Sequence, residues 1–215
     1  MILYDYYRSS AAYRVRIAVW LKDLSVEQRA CHLREGAQRS PDYLAINPQG
    51  LVPCLQDEGF SVTQSLAILE YLDEIHPVPP LLPETPAARA RVRSLAQLIA
   101  CDIHPLNNLR VLKYLKGESA QSQAAIDQWV VHWIAEGFAA LETRLARESE
   151  TGRWCHGDAP GLADCVLIPQ IYNARRFNVP LAAYPTLLRI DAEAAAHPAF
   201  IAAHPARQPD AEPGA

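Results

Sequence analysis

Between residues 77 and 86 the chain carries five prolines, Pro77, Pro79, Pro80, Pro83 and Pro86, and its character differs on the two sides of them. Proline fixes φ and has no backbone N–H, so such a run continues neither a helix nor a central strand and acts as a stiff connector. Before it, strand and helix patterns alternate. After it come Ala-, Leu- and Arg-rich stretches with helical periodicity and few strand formers. A chain divided in this way is expected to fold as a small α/β domain over residues 1–80 and an all-helical domain over 87–210.

Within the first part, Ile2 to Tyr6 reads as a short buried strand and Ser10 to Lys22 as an amphipathic helix. Val26 to Cys31 reads as a second strand. Asn47-Pro48-Gln49-Gly50 has turn chemistry. Leu51–Leu55 and Phe60–Thr63 form a hairpin closed by Asp57-Glu58-Gly59. Ser65 is the expected N-cap of a helix reaching Glu74. The β-α-β, then β-β-α order implies a mixed sheet. In the second part, Ala87–Arg147, Leu162–Arg176 and Pro185–Ala196 read as helices. Gly161 stands at a helix start, where Asp164 three residues on can accept the cap N–H. The tail from Pro205 has little to bury and is expected to drape or fray.

Composition removes several function classes. A net charge of -4 and a pI near 6.0 argue against a nucleic-acid partner, which leaves a basic footprint. No apolar run reaches the roughly 18 residues that span a bilayer, and Met1 to Asp5 has no signal-peptide character. Five cysteines without CxxC spacing fit reduced thiols in a cytoplasm better than a disulfide framework or a metal site. Only three of 20 basic residues are Lys (Lys22, Lys113, Lys116), and Arg is the residue that grips carboxylates in two-pronged fashion.

The stretch Arg8-Ser9-Ser10-Ala11-Ala12-Tyr13-Arg14-Val15-Arg16-Ile17-Ala18 resembles the zeta-class glutathione transferase pattern R-S-S-C-x-x-R-V-R-I-A. Val52-Pro53, Gln64-Ser65-Leu66-Ala67-Ile68, Asp102-Ile103-His104-Pro105-Leu106-Asn107-Asn108, Val166-Leu167-Ile168-Pro169-Gln170 and Arg207-Gln208-Pro209-Asp210 match as well. The resemblance spans nearly the whole chain. It implies a thioredoxin-like N-terminal domain that binds glutathione, an all-helical domain that binds substrate, and a homodimer. Ala11 stands where the family carries Cys, so a protein thiol nucleophile at that position is excluded.

The activity implied is cis–trans isomerisation of a small unsaturated diacid, maleylacetoacetate or maleylpyruvate, by reversible thiolate addition. A glutathione transferase or dehalogenase of small α-halo acids uses the same thiolate. A binding protein without activity would lose the groups that stabilise it. The resemblance implies that Ser9 donates to the glutathione sulfur, with Ser10 beside it, although Ser at a helix start also caps. It gives Gln49, Val52, cis Pro53, Gln64 and Ser65 to glutathione, together with His104, Asn108 and, across subunits, Asp102. Arg8, Arg110 and Arg176 are the candidate carboxylate clamps. Arg14 and Arg16 read instead as ion-pair residues of the fold.

Overall fold

The computed structural model describes residues 1–212, which form two compact units. One comprises residues 1–81 together with those from 195 onward, and the other residues 82–194.

The first unit is built on a four-stranded mixed sheet, β1 (Ile2–Asp5), β2 (Glu27–Ala30), β3 (Cys54–Asp57) and β4 (Phe60–Thr63), in the order β2-β1-β3-β4. β1 and β2 run parallel, joined by the crossover helix α1 (Ser10–Leu21); β3 lies antiparallel to β1, and β4 to β3. The hairpin turn takes Glu58 (φ 42°) and Gly59 (φ 90°) through left-handed backbone, the geometry that matches strand twist. The expected strand from Leu51 begins instead at Cys54, because Pro53 has no N–H for the ladder. A short helix that periodicity did not reveal, α2 (Pro41–Ile46), is capped by Ser40, whose Oγ accepts from the Tyr43 N–H.

Helix α3 (Ser65–Ile75) corrects another expectation. Its cap position is Gln64, at φ 71°, and Ser65 is the first helical residue. The right-handed start of the helix follows directly on left-handed backbone, which leaves no extended residue whose hydroxyl could turn back as a cap.

Helix α1 buries nearly its whole length, including two arginines at 2% and 1% exposure, Arg14 and Arg16. Arg16 pairs with Asp5 at 2.7 Å and also donates to the carbonyls of Tyr7 (2.9 Å) and Ala203 (3.0 Å). Its charge is compensated on every side, the condition for burying a guanidinium. Lys22 closes the helix in the same way, donating to Asp73, His76 O and Pro79 O.

Among the described residues the tail does not fray. Helix α9 (Pro198–Ala203) packs on α1, and a 3-10 turn over Pro205–Arg207 follows. Gln208 is buried, donating to Ala202 O (3.0 Å) and His204 O (2.9 Å) while accepting from Gln28 (3.2 Å). The tail has few apolar groups, yet its polar ones meet partners inside the unit. Residues 213–215 lie outside the described residues.

The second unit is all helical: α4 (Pro86–Gln97), α5 (Leu109–Gly117), α6 (Gln123–Arg147), α7 (Leu162–Arg176) and α8 (Pro185–Ala196), whose last two residues group with the first unit. Between α4 and α5 the chain makes a π-helical turn, Leu98–Ile103, then a 3-10 turn, His104–Asn107. Gly137 on α6 lets the π turn approach, since a Cβ there would lie 2.3 Å from Ile103. The half-buried Arg91 of α4 donates to Glu148, Thr151 and Cys155 O, clamping the loop before α7. Asp164 accepts from Gly161 N–H at 2.9 Å, as the spacing of the α7 start predicts, and also from Cys155 N–H at 2.9 Å. An α/β sheet unit followed by helices is the class the sequence implies.

Candidate active site

In the first unit Arg8, Ser9 and Ser10 occupy the turn between β1 and α1. Ser9 is the N-cap, extended at φ -70° and ψ 115°, and its Oγ accepts the Ala12 N–H at 3.2 Å. The cap uses the oxygen of the hydroxyl and leaves its proton to be donated outward. Capping and thiolate stabilisation are therefore compatible in one side chain. Ser10 is the first helical residue and is buried, whereas Arg8 is half-buried.

The turn chemistry at 47–50 builds the next part. The buried Asn47 donates to Leu51 O at 2.7 Å and accepts the Gln49 N–H at 3.1 Å, and Tyr43 donates to the same Leu51 carbonyl at 2.6 Å. Gly50, at φ 60°, passes so close to Gln38 O that a Cβ would lie 2.8 Å away. The sequence marked Asn47 as part of a turn but gave it no part in the site, and it did not point to Tyr43. The loop delivers Val52 into a buried cluster with Tyr6 and Tyr7, the two residues that precede Arg8. The predicted cis Val52–Pro53 peptide is thereby set beside the β1–α1 turn.

Gln49 and Gln64, fifteen residues apart, are brought together: Gln64 Nε2 donates to Gln49 Oε1 at 3.0 Å. Gln64 holds a left-handed backbone that a side-chain residue adopts only at a cost of about 1–3 kcal/mol, a departure found where a site needs a particular orientation. Next to it Ser65 is buried at the N-terminus of α3 and accepts from Arg14 Nη1 at 3.1 Å. These residues can receive an anionic, amide-rich ligand: a helix N-terminus, an exposed pair of amide side chains and a hydroxyl with a proton to give.

Four of the five cysteines are buried. Burial pushes the Cys31 thiol up to about 11 and raises Cys54 and Cys155 as well. These thiols stay protonated near neutrality and are poor nucleophiles. Cys101 is exposed on the π turn.

In the second unit Asp102 is exposed on the π turn and His104, half-buried, opens the 3-10 turn. Asn108 caps α5, accepting the Arg110 N–H at 3.1 Å. Arg110 is therefore the second residue of a nine-residue helix, and its side chain is exposed. Arg176 ends α7, exposed, with its guanidinium 6.0 Å from the Phe177 ring centre. A buried amide pair that the sequence reading did not single out connects these segments. Asn107 donates to Asn173 Oδ1 at 2.8 Å, where Gln170 also donates at 3.1 Å. Asn173 sits one turn before Arg176, so the stretch carrying Asp102 to Arg110 and the end of α7 share one rigid joint.

Sequence comparison adds the family. The pattern of the glutathione S-transferase N-terminal domain matches residues 1–74, and that of the glutathione S-transferase C-terminal domain matches residues 123–206. A maleylacetoacetate isomerase of Pseudomonas aeruginosa is 50% identical, with 98% of each chain covered. The structure of a maleylpyruvate isomerase described as a bacterial zeta-class glutathione S-transferase superposes with a TM-score of 0.96 at 44% identity, over 99% of this chain and 100% of that one. A maleylacetoacetate isomerase from Methylobacterium extorquens AM1, solved with bound malonate and glutathione, gives a TM-score of 0.96 at 47% identity, again over 99% and 100%. Both halves of the chain thus match the same family in sequence and in fold, and the protein belongs to the zeta-class glutathione transferases, the family that includes these isomerases.

Proposed function

We propose that this protein is a glutathione-dependent cis–trans isomerase that converts maleylacetoacetate to fumarylacetoacetate. One observation carries the reading: the Ser9 hydroxyl caps α1 through its oxygen and keeps its proton for an acceptor outside the helix. Ala11 removes the family's own thiol from the motif, and burial holds Cys31, Cys54 and Cys155 as thiols. The nucleophile is then supplied by the cofactor. When bound, glutathione provides the thiolate that adds reversibly to the activated double bond, so that rotation about the resulting single bond exchanges cis for trans.

The chain's own residues do the rest. Ser9 donates to the sulfur, Ser10 lies beside it, and the α1 N-terminus favours the thiolate over the thiol. Val52, beside cis Pro53, offers its backbone to the cysteinyl portion, and Gln64 with Ser65 holds the γ-glutamyl end, Gln49 lying next to Gln64. Residues 1–80 serve as the glutathione-binding domain, and residues 87–210 are read as the substrate domain. His104 and Asn108 contribute further polar contacts to glutathione, and Asp102 reaches the glutathione of the partner subunit. Arg8, Arg110 and Arg176 clamp the carboxylates, a role that accords with malonate bound to a relative. A homodimer working in the cytoplasm is part of the same reading. No helix among the described residues is long and apolar enough to cross a membrane.

A second reading, maleylpyruvate as substrate, is favoured by a relative of that name at comparable identity. The test is a paired assay of maleylacetoacetate and maleylpyruvate at substoichiometric glutathione. Many turnovers per glutathione on the first substrate support the proposal, and preference for the second selects the alternative. Turnover that stops when glutathione is exhausted points to a conjugating transferase or dehalogenase and rejects both.

A further inference from the structure

The Arg207-Gln208-Pro209-Asp210 motif has no part in the chemistry above, yet it reaches the turn that carries Ser9. Asp210 Oδ2 accepts the backbone N–H of Tyr7 at 3.0 Å. The carbonyl of the same residue accepts from Arg16 Nη2 at 2.9 Å. Tyr7, at 1% exposure, is thus held at both of its peptide groups by opposite charges, two residues before Ser9. The turn is closed by the Ser9 N–H on Tyr6 O at 2.9 Å, and the Ser9 carbonyl accepts from Tyr13 at 2.8 Å. Of these restraints, only the Asp210 contact comes from outside the β1–α1 segment.

The segment that supplies it is anchored on either side of Asp210. Gln208 is fixed by three side-chain hydrogen bonds and accepts the Ala211 N–H at 3.0 Å. Glu212 meets His32 at 3.2 Å and Arg34 at 2.9 Å. The carboxylate is therefore delivered to Tyr7 by a rigid strap. A charged acceptor holds an N–H about twice as firmly as a neutral one. A hydroxyl that must meet a sulfur atom tolerates little displacement, since misplacement by about 1 Å costs on the order of 100-fold in rate.

We infer that Asp210 is a positioning residue for Ser9: the strap over residues 203–212 fixes the Tyr7 peptide and thereby aims the hydroxyl that stabilises bound thiolate. The inference rests on the proposed role of Ser9. The sign of its effect separates geometry from charge. The negative field of Asp210 disfavours a second anion nearby, so an effect of charge alone would make its removal promote the thiolate. Positioning predicts the opposite.

The experiment follows the ultraviolet absorbance of the thiolate of glutathione bound to the intact protein, titrated with pH in the absence of substrate. The variants are Asp210→Ala, Asp210→Asn and Ser9→Ala. Hydrogen exchange of the free protein is measured over residues 4–13. Asp210→Ala is expected to raise the thiol pKa and to lower kcat roughly 10- to 100-fold, with KM for the diacid changed by less than about three-fold. Exchange in the turn should accelerate. Asp210→Asn keeps an oxygen acceptor and should restore most of the wild-type titration. An unchanged or lowered thiol pKa in Asp210→Ala, with Ser9→Ala raising it, overturns the inference and leaves the Ser9 reading intact. A wild-type titration in Ser9→Ala overturns the Ser9 reading itself. A loss of thermal stability in Asp210→Ala with a wild-type thiol titration makes the strap a brace of the fold only, and also overturns the inference.

Discussion

The guanidinium of Arg14, buried in the middle of α1, donates to the Ser65 hydroxyl at the first turn of α3 across 3.1 Å. The hydroxyl oxygen is thus satisfied from within the fold, and its proton remains for an acceptor at the helix N-terminus. Ser65→Ala should weaken glutathione binding by about ten-fold while leaving kcat at saturating glutathione within about two-fold. Calorimetric titration and steady-state kinetics read the two effects separately. A fall in kcat with unchanged binding would remove Ser65 from the glutathione site.

Ser9→Ala removes a cap and a donor together. Loss of the cap costs about 1 kcal/mol of stability. Loss of the donor should reduce kcat by far more than it weakens glutathione binding. Ser9→Thr keeps both groups and should recover most of the activity. Equal losses in binding and turnover for Ser9→Ala would make Ser9 a binding group.

Arg176 ends α7 one turn beyond the buried Asn107–Asn173 pair. Arg176→Ala should raise KM for the diacid by about ten-fold or more and leave KM for glutathione nearly unchanged. Asn173→Ala should give a weaker effect of the same sign, with lower stability from the orphaned Asn107 amide. A silent Arg176→Ala would strike it from the carboxylate clamps.

Three histidines predict the response to acid. Burial holds His156, His197 and His204 below the usual 6.5, with Arg91 adding to the effect at His156, and Arg16 and Arg207 at His204. Folded, they stay neutral where the unfolded chain takes up protons. Their contribution to stability is therefore present above about 6.5 and is lost as the pH falls from that value toward the lowered folded ones. The melting temperature should decline between about pH 7 and pH 5. His204 Nδ1 accepts the Ala206 N–H at the 3-10 turn. His204→Asn keeps an acceptor there, so it should flatten part of the decline without lowering the melting temperature at pH 7.5. An identical pH profile in the variant would rule out His204 as a contributor.

Much of this was legible in the sequence because it is written locally. The α1 pattern, the Gly161–Asp164 cap and the Glu58-Gly59 turn depend on residues a few positions apart. The start of β3 was misplaced because the hydrophobic run continues through Pro53, and only the missing N–H ends the ladder. Gln64 as cap was not readable because a left-handed backbone at a residue with a side chain is imposed by its surroundings. The packing of residues 205–212 was missed for a different reason. A polar, proline-rich segment looks unable to bury itself, and what holds it includes hydrogen bonds and ion pairs to Gln28, Tyr7, His32 and Arg34, about 180 to 200 positions away. In the site, the motif signalled Ser9, Ser65 and Pro53, whereas Arg14 on Ser65 and the Asn107–Asn173 joint emerge only from the assembled fold.

The order of manufacture follows from where Ala203 lies. A ribosome releases Arg16 early, but the carbonyl that takes its Nε hydrogen arrives only after all of residues 82–194 have been made. Until then Arg16 has Asp5 and the Tyr7 carbonyl to meet its charge, but not the acceptor of its Nε hydrogen. The first part of the protein to be translated is thus the last to be finished: a chain released after residue 194 would have every residue of the second unit and an incomplete first.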